Sequence, residues 1–261
     1  MKISCIQMDM RLGDVDYNFA HAQALIRKTV ERDGSDVVVL PETWNTGFFP
    51  KDLAPCADDN GRRTKEVFSA LARELHVNIV CGSVANKKSD GFYNTAYVFD
   101  RDGNVVAEYD KAHLFTPSGE HHAFRPGSHT CRFTLDGRAC SLIICYDLRF
   151  PELTRTCALE GVDLMFVVAQ WPTVRTMHLE ILARARAIEN QMFLALCNSA
   201  GTAGETVCGG HSAVIDPWGE YLAHAGDSEA VITAEADFST LEDIRRSINV
   251  FRDRRQTLYH L

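Results

Sequence analysis

The sequence predicts an α/β fold in which helices cover mixed β-sheets. Strand-like and helix-like segments alternate along the 261 residues, and several strands are apolar throughout, as expected for strands buried on both faces. Asp-Gly pairs between strand-like segments add antiparallel neighbours. Because no linker, charge block or repeat interrupts this pattern, we expect one continuous domain.

The N-terminal part begins with two strand–helix units. Residues 2–8 form a short apolar run, and Asp16 is the predicted N-cap of a helix whose apolar residues recur at helical spacing over 19–30, before Gly34 ends it. The β-branched run DVVVL at residues 36–40 predicts a buried strand. A second helical stripe and a third strand are expected at residues 67–75 and 78–84.

Two β-hairpins are predicted in the middle of the chain. Asp102-Gly103 and Asp136-Gly137 each separate two strand-like runs. Asp-Gly favours a type I′ turn, because both central residues of that turn need a positive φ angle. The four strands are expected at residues 93–99, 104–109, 132–135 and 138–145.

The C-terminal part returns to alternating strands and helices. Pro151 is well placed to open a helix, since a proline is tolerated in the first helical turn. In total we expect about ten to twelve strands and four or five helices. The remaining elements are a strand at 164–169, a helix at 177–192, a strand at 193–197, and two or three short strands after the glycine-rich segment 201–210.

Composition limits the class of protein. With 46% hydrophobic and 24% charged residues the chain is an ordinary globular protein, and its net charge of −8 without any basic run argues against nucleic-acid binding. The N-terminus lacks a signal-peptide pattern, and no apolar stretch reaches membrane-spanning length, so we expect no membrane association. Most of the nine cysteines lie in apolar runs, as reduced thiols do, which predicts a cytoplasmic protein.

Cys145 is the first candidate for catalysis. It ends the run SLIIC and precedes the helix predicted at Pro151. A nucleophile at a strand-to-helix corner projects from the sheet edge, where helix N–H groups are available to an oxyanion. The alternative is one more buried cysteine at a strand end.

Two further side chains complement this thiol. Glu42 follows the strand DVVVL in PETWNTGF, and Lys111 ends another strand-like run in EYDKAHLF. Each would be an ordinary surface charge on its own, but α/β folds place their sites just past such strand ends. A thiol is mostly protonated at neutral pH, so it needs a base, which Glu42 supplies, and a nearby cation, which Lys111 supplies.

These three blocks make the resemblance specific. PETWNTGF, YDKAHLF and CYDLRFPEL resemble the catalytic blocks of the nitrilase superfamily of carbon–nitrogen hydrolases, in its ω-amidase-like, Nit-type branch. YNTAYVFDRDG, AQWPTVR, ARAIENQ and NVFRDRRQTLY extend the resemblance over essentially the whole chain.

The resemblance implies roles for four residues. Glu42 would be the general base, Lys111 the oxyanion stabiliser and Cys145 the nucleophile. Glu120, in TPSGEHHAF, matches a second glutamate that helps to position the lysine, with a plain surface acid as the alternative. The implied reaction passes through a thioester on Cys145, with the backbone N–H of Tyr146 as a second oxyanion donor.

The resemblance also implies the overall architecture. It predicts residues 1–261 to be a single carbon–nitrogen hydrolase domain, folded as a four-layer α-β-β-α sandwich of two mixed sheets with helices on the outer faces. Family members pair through helices, so we expect a homodimer. The segment with Phe251, Arg252 and Arg254 is expected to pack on the partner or over its own sheet. No cofactor or metal is required.

The expected substrate is a small amide bearing a carboxylate, such as 2-oxoglutaramate. Arg149, Arg125 and Arg175 are the candidates to bind that carboxylate, although Arg149 could instead pair with Glu152. Tyr146, Trp171 and Phe48 are the expected pocket walls. A nitrilase or an N-carbamoyl amide hydrolase would share the triad, and a non-catalytic scaffold is the alternative from another class.

The other potentially reactive residues are expected to have structural roles. His121, His122, His129 and Cys131 match no common zinc spacing and are expected to form a loop. His113, beside Lys111, is expected to shape the pocket. The segment GTAGETVCGG is neither a dinucleotide fingerprint nor a P-loop, and is expected as a turn-rich stretch near the pocket, with Cys208 more exposed than the strand cysteines.

Overall fold

The computed structural model describes residues 1–48 and 50–259 as two sheets packed face to face between layers of helices. The strands are β1 (Lys2–Gln7), β2 (Val37–Val39), β3 (Asp58–Asp59), β4 (Asn78–Lys88), β5 (Gly91–Phe99), β6 (Val105–Asp110), β7 (Arg132–Leu135), β8 (Arg138–Ile144), β9 (Leu164–Ala169), β10 (Phe193–Asn198), β11 (Thr202–Ala203), β12 (Thr206–Val207), β13 (Ala213–Ile215), β14 (Tyr221–His224) and β15 (Ala230–Glu235). The α-helices are α1 (Val15–Asp33), α2 (Arg62–Leu75), α3 (Glu120–Ala123), α4 (Pro151–Leu159), α5 (Thr176–Asn190) and α6 (Leu241–Ser247).

Both sheets are mixed, as predicted. The first has the order β15-β1-β2-β4-β5-β6, with β3 beside β4, and the second has the order β14-β13-β10-β9-β8-β7. The central strands are parallel, namely β1, β2 and β4 in the first sheet and β8, β9 and β10 in the second. The other strands pair antiparallel, except the short β3, which is parallel to β4. The carboxyl ends of β2 and β9 meet, where the backbone N–H of Glu42 donates to Ala169 O over 3.3 Å.

Three apolar cores hold the four layers together. Alternating side chains of both sheets form the central core, which includes Val39 from the first sheet and Phe166 from the second. The opposite face of the first sheet packs on α1 and α2, and that of the second packs on α4 and α5. Burial on both faces explains why residues 37–40, VVVL, are apolar throughout. The four-layer α-β-β-α prediction is confirmed.

Several local predictions need correction. The described residues contain fifteen strands and six α-helices, more than expected, because two-residue strands and the four-residue α3 leave no periodic pattern. The N-cap of α1 is Asp14, whose Oδ1 accepts from Tyr17 N over 3.2 Å, and Asp16 lies in the first turn. Phe251 packs against the outer core of the second sheet of its own molecule, which is one of the two placements expected for this segment.

The two Asp-Gly turns differ. Asp136 and Gly137 both have positive φ angles, of 46° and 76°, as a type I′ turn requires. At the other turn only Gly103 does, at 79°, and the register shifts between Val98 and Phe99, so this hairpin closes through a bulged turn. None of the helices within the described ranges combines the length and apolarity needed to span a membrane.

Candidate active site

The structure brings four predicted residues together at one edge of the sandwich. Glu42 follows β2, Lys111 follows β6, Cys145 follows β8, and Glu120 opens α3. The side chains of Glu42, Lys111 and Glu120 are fully buried, so Glu120 is not a surface acid. Cys145 is partly exposed and lines a pocket.

Lys111 lies between the two carboxylates. Its Nζ is 2.8 Å from Glu42 Oε1, and 3.0 and 2.9 Å from the two carboxylate oxygens of Glu120. A buried ammonium needs such partners, because desolvation of an unpaired charge costs several kcal/mol. The ammonium group is therefore held in one position by two acids from different parts of the chain.

The same carboxylates accept further hydrogen bonds. Asn94 Nδ2 donates to Glu42 Oε1 over 2.8 Å and to Glu120 Oε1 over 3.2 Å. The backbone N–H of Gln170 donates to Glu42 Oε2 over 2.8 Å, and that of Phe115 to Glu120 Oε2 over 2.6 Å. The sequence pattern did not reveal Asn94 as a site residue, although its polar side chain lies in the buried part of strand β5.

This arrangement sets the protonation states of the thiol and the lysine. Burial opposes the charge on Lys111, but Glu42 and Glu120 outweigh it, so the pKa of Lys111 is raised above its ordinary value. Burial and then the negative charge of Glu42 raise the pKa of Cys145, and Lys111 opposes this only partly. The thiol therefore keeps its proton in the resting site, next to a carboxylate that can accept it.

Cys145 has an unusual backbone conformation. Its φ angle is +46°, a region that non-glycine residues seldom adopt. A short 3₁₀ helix, Cys145–Arg149, begins at this residue. The N–H groups of a first helical turn have no partner within the helix, so that of Tyr146 is free of intrahelical bonding. A strained turn from strand to helix is the geometry of a nucleophile elbow.

Asp147 holds this elbow in place. Its carboxylate accepts from the backbone N–H of Ile144 over 3.0 Å, from the backbone N–H of His113 over 2.9 Å and from Tyr109 OH over 2.9 Å. The His113 ring contacts the same carboxylate through Nδ1, at 2.8 Å, and stacks on Phe150. His113 thus supports the wall of the site rather than the nucleophile directly.

A pocket of about 120 Å³ opens above Cys145. Its wall contains the five residues expected to bind substrate: Phe48, Tyr146, Arg149, Trp171 and Arg175. It also contains Phe115, Ser118, Gln170, Pro172 and Thr206, which the sequence pattern did not single out. Thr206 belongs to the glycine-rich segment, which therefore does reach the pocket.

The two arginines of the pocket lie on aromatic rings. The guanidinium carbon of Arg149 is 4.6 Å from the centre of the Trp171 ring, and that of Arg175 is 5.2 Å from the centre of the Phe115 ring. Within the part of the chain that the structure describes, neither arginine forms an ion pair with an acid, and Glu152 is not a partner of Arg149. Burial and the charge of Arg175 lower the pKa of Arg149.

The remaining candidates do not line the pocket. Arg125 is exposed, pairs with Asp90 at 3.5 Å and is not part of the pocket wall. Cys208 is buried, contrary to expectation, because the glycine-rich segment folds back against Gln170, whose Nε2 is 3.7 Å from the sulfur. Cys131 lies in the central core. His121 and His122 lie on α3, and with His129 they are exposed.

Known proteins of similar sequence are carbon–nitrogen hydrolases and amidases. The family model of carbon-nitrogen hydrolases matches residues 2–246. The chain is 42% identical to the 2-oxoglutaramate amidase of Bacillus subtilis (strain 168) over 98% of each chain. It is 33% identical to the omega-amidase NIT2 of Homo sapiens, covering 99% of this chain and 96% of that one.

A solved structure adds a chemical observation. A glutamate-to-glutamine mutant of the amidase from Nesterenkonia sp. AN1 superposes with a TM-score of 0.86 at 27% identity, over 99% of this chain and 95% of that one. That protein carries the acetamide moiety of fluoroacetamide covalently on its active-site cysteine.

The fold and the Glu42–Lys111–Cys145 cluster define a hydrolase of the nitrilase superfamily. The chain belongs to the carbon–nitrogen hydrolase family, and the predicted amidohydrolase class and ω-amidase-like branch are confirmed.

Proposed function

We propose that this chain hydrolyses the amide bond of a small, carboxylate-bearing ω-amide such as 2-oxoglutaramate, with Cys145 as the nucleophile. The observation that carries the proposal is the pairing of two features in one pocket. The Glu42–Lys111–Cys145 cluster lies at its base, and Arg149 and Arg175, without acidic partners in the described structure, lie in its wall. The cluster can carry out acyl transfer, and the two arginines can bind a carboxylate.

The first half of the reaction forms a thioester. Glu42 takes the proton of the Cys145 thiol, and the sulfur attacks the amide carbon. As the carbon–nitrogen bond breaks, Glu42 returns that proton to the nitrogen, which leaves as ammonia. The raised pKa of Cys145 makes this transfer necessary, because the thiol is not ionised beforehand.

The second half releases the acid. Water enters where ammonia left, Glu42 takes one of its protons, and the resulting hydroxide attacks the thioester carbon. The carbon–sulfur bond breaks, and the thiolate recovers the proton from Glu42. A single carboxylate thus serves as base and acid in both halves, as its hydrogen bonds to Asn94 and Gln170 hold it in place.

Lys111 and the backbone N–H of Tyr146 would stabilise the oxyanion in both halves. Lys111 is suited to this because its ammonium is fixed by Glu42 and Glu120 before substrate arrives, and a preorganised donor costs no reorganisation in the transition state. The covalent adduct on the cysteine of the related Nesterenkonia amidase supports a thiol nucleophile at the matching place in the fold.

The size and charge of the pocket support the substrate class. A cavity of about 120 Å³ admits a small molecule and excludes a folded peptide chain. Two arginines offer charge-assisted hydrogen bonds to a carboxylate. The relative from Bacillus subtilis is a 2-oxoglutaramate amidase, whose substrate has an amide at one end and a carboxylate at the other.

Ammonia release tests the proposal directly. The purified protein should release ammonia from 2-oxoglutaramate faster than from glutamine, a simple nitrile or an N-carbamoyl amino acid, and Cys145→Ala should abolish the release. Equal turnover by Cys145→Ala would contradict the thiol mechanism. Preference for the nitrile or the carbamoyl compound would assign the same site to a different reaction of the family.

We propose in addition that the protein is a cytoplasmic homodimer. Helix α5 exposes an apolar row at helical spacing, with Met177, Ile181 and Ile188 between 47% and 63% exposed, and such rows mark protein interfaces. All nine cysteines are free thiols, as in a reducing compartment. Light scattering of the wild type and of Ile181→Glu tests the dimer, since the charged residue should shift the mass toward a monomer.

A further inference from the structure

Glu180, His211 and His224 form a cluster outside the pocket. Glu180 is on α5, His211 precedes β13, and His224 ends β14. Nδ1 of His211 is 2.9 Å and Nε2 of His224 is 3.1 Å from the same oxygen, Oε1 of Glu180. The ligand atoms of all three residues lie within 4.8 Å of one another. Two imidazoles and a carboxylate from three separate segments of the chain therefore converge on one point.

We propose that this cluster binds a divalent transition-metal ion, with Zn²⁺ as the ion that fits best. Zinc is held by imidazole nitrogen at about 2.0–2.1 Å and by carboxylate oxygen at about 2.0–2.2 Å. Tetrahedral ligands at those bond lengths are about 3.3 Å apart. The distances of 2.9 and 3.1 Å to Glu180 match this spacing within a few tenths of an ångström, so the carboxylate already lies as far from each imidazole nitrogen as two ligands of one ion do.

The surroundings favour an ion that comes from solvent. Each of the three side chains is 29% to 31% exposed, so the ion has a path to the site and water can complete its coordination. The His224 ring stacks on Tyr221, with centroids 4.5 Å apart, and the backbone N–H of His211 donates to Gly226 O. Such supporting contacts orient the ligands before the metal binds.

The bound ion would be structural, because it lies away from the pocket wall yet connects two segments that form it. Arg175, in the wall, immediately precedes α5, which carries Glu180. Gly209, two residues before His211, donates its N–H to Trp171 O over 2.7 Å. Cross-linking α5 to the segment before β13 would therefore stabilise this side of the pocket without taking part in the chemical step.

Calorimetry with Zn²⁺ on full-length Cys145→Ala protein tests the site, since this variant removes the thiol in the pocket. We expect one Zn²⁺ per chain and a higher Tm in its presence, since an ion that binds the folded state stabilises it. His211→Gln and His224→Gln should each weaken binding by more than about 100-fold. His129→Gln, which removes an exposed imidazole elsewhere, should leave the affinity unchanged.

Spectroscopy separates this site from the remaining thiols. Co²⁺ in place of Zn²⁺ should give the absorption of nitrogen and oxygen ligands, without the near-ultraviolet charge-transfer band of a thiolate. Glu180→Gln, with unchanged circular dichroism and Tm in EDTA, should lose the metal while it stays folded. Absence of Zn²⁺ binding, unchanged affinity in both histidine variants, or a thiolate band would overturn the proposal and leave a hydrogen-bonded cluster.

Discussion

Nζ of Lys111 lies 2.8 Å from Oε1 of Glu42, and both side chains are excluded from solvent. Removing one member of a buried pair is costly, because the other charge is left without a partner. Lys111→Met should therefore lower the free energy of unfolding by about 3–5 kcal/mol, as measured by urea denaturation. Lys65→Met, which removes a partly exposed pair with Glu108, should cost less than about 1 kcal/mol. Similar losses in the two variants would contradict the buried pairing.

Glu42→Gln separates proton transfer from the nucleophile. The glutamine side chain cannot carry the proton from the Cys145 sulfur to the leaving nitrogen. Turnover should therefore fall by about 10²- to 10⁴-fold in an ammonia-release assay. Cys145 should still gain mass from fluoroacetamide in a peptide mass spectrum, as the cysteine of the related glutamine mutant does. Glu152→Gln, outside the pocket wall, serves as the control. Wild-type turnover in Glu42→Gln would rule out its proposed role.

Arg149→Met and Arg175→Met test carboxylate recognition. A hydrogen bond to a charged group contributes about 1.5–3 kcal/mol, so each variant should raise KM for 2-oxoglutaramate by about 10- to 100-fold. A neutral amide of similar size should be affected little. Arg125→Met provides the matched control, because this arginine pairs with Asp90 away from the pocket. If KM rises equally for both substrates, the arginines act on the shape of the pocket instead.

Stability should fall at alkaline pH. Burial raises the pKa of Cys131 and of Cys140 to about 12, while the unfolded thiols ionise near pH 8.5. The stabilisation that these two buried thiols give the folded state is therefore complete below about pH 8.5 and is lost as the pH rises toward 12. Urea denaturation at pH 7.5 and 10 should show a lower free energy of unfolding at the higher pH. In Cys140→Ala the difference between the two pH values should be smaller by about 1–2 kcal/mol. An identical pH dependence in wild type and variant would disprove the assignment.

Asp147→Asn should disturb the nucleophile elbow at Cys145 without removing a contact to the substrate. An asparagine cannot accept from Ile144, His113 and Tyr109 together, so at least one buried donor loses its partner, at a cost of about 1–3 kcal/mol. We expect kcat to fall while KM for 2-oxoglutaramate changes little. Asp163→Asn, which removes a partly exposed pair with Arg245, should leave kcat unchanged. A rise in KM alone would place Asp147 in substrate binding.

The sequence was most informative where the chain leaves a strand. Glu42, Lys111 and Cys145 were recognisable because the ends of similarly directed strands meet at one edge, and the resemblance added Glu120. Asn94 and Asp147 were not found, since their importance comes from contacts with residues far away in the chain. Glu180, His211 and His224 were missed for the same reason, as they come from a helix, a loop and a strand that are far apart in the chain.

Local details were harder to predict than the layers. Asp14 and Asp16 are equally suitable N-caps by residue type, and only the backbone geometry selects Asp14. The exposure of Cys208 depends on how the glycine-rich segment folds back, which periodicity does not describe. Residues 1–261 as a single domain remains a prediction, and its last two residues and Phe49 lie outside the described part of the chain.

The burial of two acids around one lysine has a consequence for how substrate enters. Glu42, Glu120 and Lys111 leave one formal negative charge beneath the pocket, and the partly exposed Arg149 and Arg175 place positive charge nearer its opening. This polarity turns a molecule with an amide and a carboxylate so that the amide goes in first. The pocket should therefore bind a 2-oxo acid amide better than an amino acid amide, because the arginines would repel the ammonium group of the amino acid.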